Sequence, residues 1–440
     1  MIDSLADRFA AACEEHRIVG AQLAWNNLAG ARENIEYGIA NRGTGKPVTE
    51  QTRFQIGSVT KAMVALCVHQ LARDGRANLD APLSSIEWLA ADTINPELSA
   101  ITPRHLMAHT SGLQGDVFED TGDDHEAAFR LAQKFAGEEL LHKPGHDQSY
   151  CNFGYVLLGL WIEHWSNKPW HHRVDQCLKR FAGEHSLAFW PFPEPENLAA
   201  GHGPEGVWNR THLALSNAAA GTSAVGTATD LALFGKTLLQ LAQADDPIWQ
   251  AMTTPLVKMA RNERCIGFGE GLMVMDWDGQ EVVGHDGLTI GQQAFVRVFP
   301  QTGISYGLVA NGGDMTGLHV AVARLLAPMT GAALQHLALS PQESATSGLL
   351  SGTFDRRNAS LEVTIGANED GTLMVHHKEE WAREIYGSVE GPYSLMRVAD
   401  DSWNVEFTGQ SQPKMLTVTQ DAAYYEMRRY NRVPTVEARS

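Results

Sequence analysis

The sequence predicts an α+β fold in its larger N-terminal part and a small all-β domain after it. Residues 271–284 and 293–310 alternate apolar and polar side chains around short turns, which predicts two antiparallel hairpins. Segments with helical periodicity flank these hairpins, and consecutive antiparallel strands beside helices are typical of an α+β layer. Beyond residue 348, six or more short strand-like runs alternate with turns, which predicts a small antiparallel barrel or sandwich.

Composition narrows the class of protein. A chain of 440 residues has room for two or three domains. The net charge of −18 argues against a nucleic acid partner. The five cysteines are scattered without a C-x-x-C pair, which favours reduced thiols. Since the sequence shows neither the apolar segment of a signal peptide nor an apolar run of membrane-spanning length, we expect a cytoplasmic protein that binds no membrane.

Ser58 and Lys61 are the first candidate site residues. A helix that begins near Ser58 and ends before Asp74-Gly75 places the two side chains one turn apart on the same face. The lysine amine can then reach the serine hydroxyl, which lies among the free N–H groups of the first turn. This is the arrangement of an activated nucleophile. Taken alone, however, S-x-x-K is more often a helix N-cap followed by a solvated lysine.

Two further segments carry candidate site residues. Tyr150 and Asn152 precede an apolar helix, and in an extended segment they project to the same side. A tyrosine at such a place usually packs with its hydroxyl hydrogen-bonded, so its importance depends on whether it meets Ser58 in space. The segment His285-Asp286-Gly287-Leu288 lies at the end of the second strand of the first predicted hairpin.

An acidic stretch lies between residues 115 and 126. Its acidic residues are Asp116, Glu119, Asp120, Asp123, Asp124 and Glu126. A solvated acidic loop is the favoured interpretation. The alternative is a cation-binding rim over a pocket, which would favour substrates with a free amine.

Taken together, the motifs resemble those of the penicillin-recognising serine hydrolases. The closest resemblance is to the branch that joins class C β-lactamases, D-stereospecific aminopeptidases, family VIII esterases and penicillin-binding-protein-type thioesterases. Ser58-Val59-Thr60-Lys61 matches the S-x-x-K motif of this family, Tyr150-Cys151-Asn152 matches Y-x-N, and His285-Asp286-Gly287 matches the third motif, K-T-G or H-x-G. The segments Leu106 to Leu113 and Gly226 to Leu231 agree as secondary landmarks.

The resemblance also implies an architecture. It covers Met1 to about Pro328, and the tail after Gly348 resembles a lipocalin-like domain. We therefore expect a β-lactamase-like antiparallel sheet with flanking helices and a helical subdomain in residues 1–338. A lipocalin-like β-barrel is expected in residues 339–440. Because all three motifs lie in the first domain, that domain alone is expected to keep the reactive serine.

For the catalytic steps, the resemblance implies that Ser58 is the nucleophile of an acyl-enzyme and that Lys61 is its base. Tyr150 would move the proton between Ser58 and the leaving group. The backbone N–H groups of Ser58 and Leu288 would form the oxyanion hole. Neither a metal nor a cofactor is implied.

For the substrate, the resemblance implies contacts with three residues. Asn152 would hold Lys61 and a substrate amide, and Gly287 would let the substrate approach the strand edge closely. His285 stands where many relatives have a lysine, and a histidine that is neutral at pH 7 anchors a carboxylate less well. This departure weighs against β-lactams and in favour of peptide-like amides, esters and thioesters.

The sequence therefore predicts a serine hydrolase of peptidase or esterase type, with a small molecule or peptide as substrate. One alternative is a penicillin-binding-protein-type thioesterase or acyltransferase that releases or cyclises a nonribosomal peptide, whose substrate could arrive on a carrier protein. A weak β-lactamase is another alternative. A binding protein on an inactive hydrolase scaffold is disfavoured, because the nucleophile, base and tyrosine are all present.

Overall fold

The computed structural model describes most of the chain. The described residues are 4–28, 32–85, 96–135, 137–189, 197–203, 206–208, 213–259, 265–332, 334, 351–357, 359–365, 371–378, 391–399, 402–406, 414–419 and 421–433. Within them the chain forms an antiparallel sheet packed with helices, followed by a closed β-barrel, which confirms the predicted α+β class. The predicted domain boundary at 338/339 lies outside the described residues and stays a prediction.

The helices begin where sequence signals indicate. Ser4 and Asp7 form a capping box at the start of the first helix, and Thr227 and Asp230 form another at the seventh. In chain order the α-helices of the described part are α1 (Leu5–Glu15), α2 (Val59–Arg73), α3 (Pro103–Met107), α4 (Ala127–Phe135), α5 (Asn152–Ser166), α6 (Trp170–Ala182), α7 (Ala228–Gln243), α8 (Pro247–Thr253) and α9 (Met315–Thr330). Short 3-10 helices cover Leu83–Ser85, Pro96–Ala100 and Leu215–Ala220.

The strands fall into the sheet region and the barrel. The sheet region contains β1 (Gly20–Asn27), β2 (Arg32–Asn41), β3 (Lys46–Pro47), β4 (Phe54–Gln55), β5 (His202–Gly203), β6 (Gly206–Val207), β7 (Val225–Gly226), β8 (Gly267–Phe268), β9 (Met273–Trp277), β10 (Gln280–Thr289), β11 (Gln292–Phe299) and β12 (Ile304–Asn311). The barrel contains β13 (Gly352–Asp355), β14 (Ala359–Ile365), β15 (Gly371–His377), β16 (Tyr393–Ala399), β17 (Ser402–Glu406), β18 (Lys414–Val418), β19 (Ala422–Tyr425) and β20 (Arg428–Arg432).

The main sheet has the order β3-β2-β1-β12-β11-β10-β9-β8 with antiparallel pairs throughout. Both predicted hairpins are confirmed, β9–β10 around Asp278-Gly279 and β11–β12. Strand β10 is longer than predicted, so His285 lies inside it. Strand β9 pairs with 280–284 of β10, whereas β11 pairs with 283–289. The second half of β10 therefore extends past β9 towards the start of α2.

Side chains alternate between the two faces of the sheet, as expected for strands covered on both sides. Val283 and Val296 point into an apolar cluster shared with α2, α5 and α7. Val282 and Phe295 point into the opposite cluster, which α1 and α9 complete. Helix α2 lies at the centre of the first cluster, and thirteen of its fifteen residues are buried. The position of its first turn is therefore fixed from all sides by packing.

In the barrel each strand pairs antiparallel with the next, and β13 pairs with β20 to close it. Alternate residues such as Leu361, Val363, Leu373 and Val375 fill the interior. The eight strands include two, β19 and β20, that lie outside the six runs recognised in the sequence. Among the described helices, no segment has both the length and the apolar character needed to cross a membrane.

Candidate active site

The structure brings Ser58 and Lys61 into direct contact. Ser58 precedes α2 with helical backbone angles, and its side chain makes no capping hydrogen bond to the helix. The Lys61 Nζ lies 2.8 Å from Ser58 Oγ and 2.6 Å from the carbonyl oxygen of Ala220. The interpretation of Ser58 as a simple N-cap is therefore wrong, because its hydroxyl is paired with an amine.

The amine of Lys61 is completely enclosed. Lys61 is 0% exposed, and this burial holds the pKa of its ammonium group well below the ordinary lysine value. Asp116 raises that pKa and Arg428 lowers it, but both act less strongly than burial. The rings of Tyr150 and Tyr155 pack around the amine, with centroids 5.1 and 5.6 Å from Nζ. Burial thus favours the neutral amine, which is the form that can accept a proton.

Two backbone N–H groups come together beside Ser58. A Cβ on Gly57 would lie 2.8 Å from the backbone nitrogen of Leu288, and a Cβ on Gly287 would lie 1.9 Å from the carbonyl oxygen of Ile56. Only glycine permits this approach, and Gly57 also has a φ of +51°. The second half of β10 therefore packs directly against the turn that carries the Ser58 nitrogen. This is where the predicted oxyanion hole would lie.

Tyr150 belongs to a short segment that is held on both sides by the chain around residues 109–115. The backbone nitrogen of Cys151 donates to Nδ1 of His109 at 3.0 Å, and the carbonyl of Gly115 accepts from Asn152 and Phe153 at the start of α5. The His109 ring packs against Tyr150 with centroids 4.2 Å apart and the ring planes tilted by 34°. Since the Cys151 N–H donates to Nδ1, His109 is fixed in one tautomer beside the tyrosine.

His285 also lies near Tyr150, with the ring centroids 6.2 Å apart. Burial, Lys61 and Arg297 lower the pKa of His285 to about 3, so the ring is neutral at pH 7. Its Nδ1 lies 2.6 Å from the carbonyl oxygen of Asp286, which requires the proton on Nδ1. The ring then offers a lone pair on Nε2 rather than a positive charge.

Asn152 makes a contact different from the predicted one. The described hydrogen bonds of the Lys61 amine go to Ser58 and Ala220, whereas the side-chain nitrogen of Asn152 donates to Asp116 at 2.6 Å. Asp116 is itself buried against Arg356 and Arg428. The side chain of Asn152 thus hydrogen-bonds a carboxylate rather than the Lys61 amine.

The barrel contacts Tyr150 through its β19–β20 turn. The backbone nitrogen of Tyr150 donates to the carbonyl of Met427 at 2.9 Å. The guanidinium carbon of Arg428 lies 5.2 Å from the centre of the Tyr150 ring. A domain in which the sequence shows no catalytic signal therefore lies against the tyrosine of the site.

The acidic stretch is not a uniformly solvated loop. Asp116 is 1% exposed and bound to arginines, while Glu119 pairs with Lys134 and Asp124 with Arg130. The side chains of Asp120 and Asp123 are exposed. The solvated-loop interpretation is wrong for Asp116. A cation-binding rim formed by this stretch could not include Asp116 either, because its carboxylate already binds arginines. In the described ranges, no three His, Cys, Asp or Glu side chains are grouped as metal ligands would be.

Sequence reasoning missed three residues around Tyr150 and Asn152, namely His109, Arg356 and Arg428, and it considered Asp116 only as part of an acidic loop or pocket rim. His109 falls in the landmark at Leu106 to Leu113, so its position in the chain was noted without its contact to Cys151. Asp116 was interpreted as part of an acidic run. For the two arginines the sequence offers no signal, because their importance comes from a contact between domains.

The fold places a serine hydroxyl against a buried lysine amine on a β-lactamase-like scaffold. Residues 4–328 match the family model described as Beta-lactamase. The chain is 30% identical over 374 residues to Penicillin-binding protein 4 of Amycolatopsis lactamdurans, covering 80% of this chain and 96% of that protein. The chain therefore belongs to the β-lactamase family of serine hydrolases.

Two further similarities extend this result. Esterase EstB of Burkholderia gladioli is 30% identical over 210 residues, which is 43% of this chain and 52% of the esterase. The crystal structure of SurE is 28% identical, with a TM-score of 0.75 over 98% of both chains, so the similarity includes the barrel. SurE has also been solved with D-Leu.

Proposed function

We propose that this protein forms an acyl-enzyme at Ser58 and hydrolyses a peptide-like amide, ester or thioester. The observation that carries the proposal is the 2.8 Å contact between Ser58 Oγ and a lysine amine that is completely buried. A serine is a weak nucleophile until a neighbouring base accepts its proton. Burial lowers the pKa of Lys61 and thereby supports the neutral amine needed for this step.

In the acylation step, the Ser58 proton passes to Lys61 as Oγ bonds to the acyl carbon. The carbonyl electron pair moves onto its oxygen, which accepts hydrogen bonds from the N–H groups of Ser58 and Leu288. When the tetrahedral intermediate collapses, the bond to the leaving group breaks. Tyr150 passes a proton to the departing nitrogen, oxygen or sulfur and regains one from Lys61. Water then attacks the ester at Ser58 by the reverse sequence of proton transfers.

Two observations support a substrate without a carboxylate at the position of His285. The ring is neutral at pH 7, because its pKa is lowered to about 3, and Nε2 can only accept a hydrogen bond. A donor such as a substrate N–H or a free amine matches this lone pair. The name of EstB supports an ester, and the D-Leu bound to SurE supports an acyl group built on a D-amino acid.

A second candidate is acyl transfer, in which a thioesterase of this family releases or cyclises a nonribosomal peptide delivered by a carrier protein. This candidate rests on the resemblance of the three motifs to those of penicillin-binding-protein-type thioesterases, and the similarity to SurE, over 98% of both chains, concerns the fold, barrel included. In transfer, an amine replaces water as the nucleophile that attacks the acyl-enzyme. Weak β-lactamase activity is a third outcome and would use the same serine.

Covalent labelling tests the nucleophile. A fluorescent alkyl phosphonate should add one group to the wild-type protein by intact mass, and Ser58→Ala should take up none. Ser166→Ala is the matched control, because Ser166 hydrogen-bonds a backbone carbonyl at the end of α5. Labelling that persists in Ser58→Ala would refute the assignment.

Turnover tests the substrate class. Short-chain p-nitrophenyl esters and the p-nitroanilides and thioesters of D-amino acids should turn over faster than benzylpenicillin. Adding a peptide amine to the assay distinguishes hydrolysis from acyl transfer. In transfer, part of the product becomes the amide instead of the free acid, while the total turnover stays constant. Efficient hydrolysis of benzylpenicillin with no activity on the esters would contradict the proposed substrate class.

A further inference from the structure

A buried ionic cluster joins the barrel to the active site. Asp116 Oδ1 accepts hydrogen bonds from Asn152 Nδ2 at 2.6 Å and from Arg428 Nη2 at 3.2 Å. Its Oδ2 accepts from Arg428 Nε and from Arg356 Nη2, both at 2.6 Å. The side chains of Asp116, Arg356 and Arg428 are 0%, 6% and 9% exposed. One carboxylate thus binds a residue of the Y-x-N motif and two arginines of the other domain.

We propose that Asp116 is a positioning residue, which orients the Asn152 amide for the substrate and is kept charged by Arg356 and Arg428 of the barrel. The inference rests on the proposed function, since it assigns a role within that active site. It makes the barrel a structural part of the site rather than an attached module.

The orientation follows from hydrogen-bonding chemistry. An ionised carboxylate can only accept hydrogen bonds, so it selects the Nδ2 side of the Asn152 amide. The Oδ1 of Asn152 is then turned away from Asp116 and can accept an N–H from a peptide-like substrate. A neutral amide in place of Asp116 would both donate and accept, and the Asn152 side chain would lose this constraint.

The arginines explain why the carboxylate can be buried. Desolvation alone would raise the pKa of Asp116, but Arg428 and Arg356 lower it well below the ordinary value. Arg428 is bidentate and lies in the same hairpin as Met427, whose carbonyl binds the Tyr150 nitrogen. The same barrel turn therefore contacts both the tyrosine and the carboxylate that holds Asn152.

A double-mutant cycle tests the proposal on the full-length protein with the best ester of the panel. Asp116→Asn should lower kcat/KM about 10- to 100-fold, the loss expected for one hydrogen bond to a charged group. Asn152→Ala should lose at least as much, and the double variant should lose little more than Asn152→Ala alone. Glu138→Gln is the matched control, because it breaks the ion pair with Arg357 elsewhere in the same interface. It should change kcat/KM less than about twofold.

The pH dependence of kcat/KM provides a second measurement, which a purely structural role of Asp116 would leave unchanged. The charged or titratable groups around the Lys61 amine are Asp116, Arg428, Cys151, Tyr150, Tyr155, His109 and His285. Removing the negative charge of Asp116 lowers the pKa of Lys61 further, so the acid limb of kcat/KM should move to lower pH. Arg428→Met should move that limb to higher pH.

The outcomes separate this inference from the proposed function. A wild-type protein that turns over nothing on the panel refutes the proposed function. An active wild type with multiplying losses in the cycle, or an unchanged pH limb in Asp116→Asn, refutes the positioning role alone. If Asp116→Asn does not fold, Arg428→Lys takes its place in the cycle, since it keeps the charge but not the bidentate contact. Independent losses of Arg428→Lys and Asn152→Ala would equally refute the role.

Discussion

The two sides of the active site are built over very different sequence separations. On one side, Ser58 and Lys61 are three residues apart and meet within the first turn of α2. On the other side, Asn152 is held by Asp116, which is bound by Arg428 at a separation of 312 residues. The first contact follows from helix geometry alone. The contact between Asp116 and Arg428 exists only when the barrel is docked against the first domain.

The comparison shows that the proposed reacting groups lie within the first domain, whereas the contacts that hold Asn152 extend into the barrel. The proposed nucleophile and base lie at the start of a helix whose first turn is fixed from all sides, so their geometry is preorganised by the core. Asn152, which we propose contacts the substrate, is held by a carboxylate whose arginine partners lie across the domain interface. Changes to the first set should therefore remove the chemistry, whereas changes to the second set should weaken it.

The largest effect should come from changing Lys61, the proposed catalytic base. Lys61→Met keeps most of the length of the side chain but removes the proton acceptor, so kcat/KM should fall about 10²- to 10⁴-fold. Tyr150→Phe should lower kcat/KM by a similar factor, and the double variant should lose little more activity than either single variant. Steady-state kinetics on the best ester measures all three. Losses that multiply would show that the two residues do not share one proton path.

Removing the barrel should have the next largest effect. A chain that ends near residue 338 leaves Asp116 without its two arginines, and breaking a buried ion pair costs about 3–5 kcal/mol. It also removes the carbonyl that binds the Tyr150 nitrogen. We expect the rate of phosphonate labelling to fall about 100-fold or more, with a lower thermal midpoint. Labelling at the full-length rate would restore the view of an independent first domain.

The sequence predicted those elements whose signals are local. The β9–β10 hairpin followed from Asp278-Gly279, both of which adopt positive φ, and the α7 capping box followed from Thr227 and Asp230. The contact between Ser58 and Lys61 followed from their spacing. In each case the residues that determine the structure are neighbours in the chain.

The β19–β20 hairpin was missed because its local signals are weak. Its strands, Ala422–Tyr425 and Arg428–Arg432, lack a regular alternation of apolar and polar residues. The turn at Glu426-Met427 takes positive φ values of 51° and 64° without Asn or Gly. Docking against the first domain holds this turn in place. Since nothing in one sequence marks which surface it meets, Arg428 could not be assigned to the site.

The pH dependence of kcat/KM distinguishes the role of Lys61 from that of His285. We expect a smaller loss of activity from changing His285 than from changing Lys61. Burial keeps the pKa of Lys61 well below its usual value, and the base must be neutral, so activity falls as pH drops through that lowered pKa. His285 has a pKa of about 3 and does not titrate over the neutral range. His285→Gln should therefore lower kcat/KM about tenfold or less and keep the acid limb in place. Loss of that limb in His285→Gln would make the histidine the base.

The smallest effect should come from the exposed acids of the 115–126 stretch. Asp120 and Asp123 are exposed, and Asp120 accepts a hydrogen bond from the backbone nitrogen of Gly122. Exposed charges are screened within about 10 Å at 0.1 M salt, whereas the buried Asp116 is shielded from the ions. The double variant Asp120→Asn/Asp123→Asn should change kcat/KM less than about twofold for substrates with and without a free amine. Asp116→Asn, in the same stretch, should lower kcat/KM more than the double variant does at every salt concentration. Asp116 is paired with buried arginines, and dissolved ions do not reach that pair. A preference for amine substrates that the double variant abolishes, and that salt weakens in the wild type, would instead place the two exposed aspartates at the substrate.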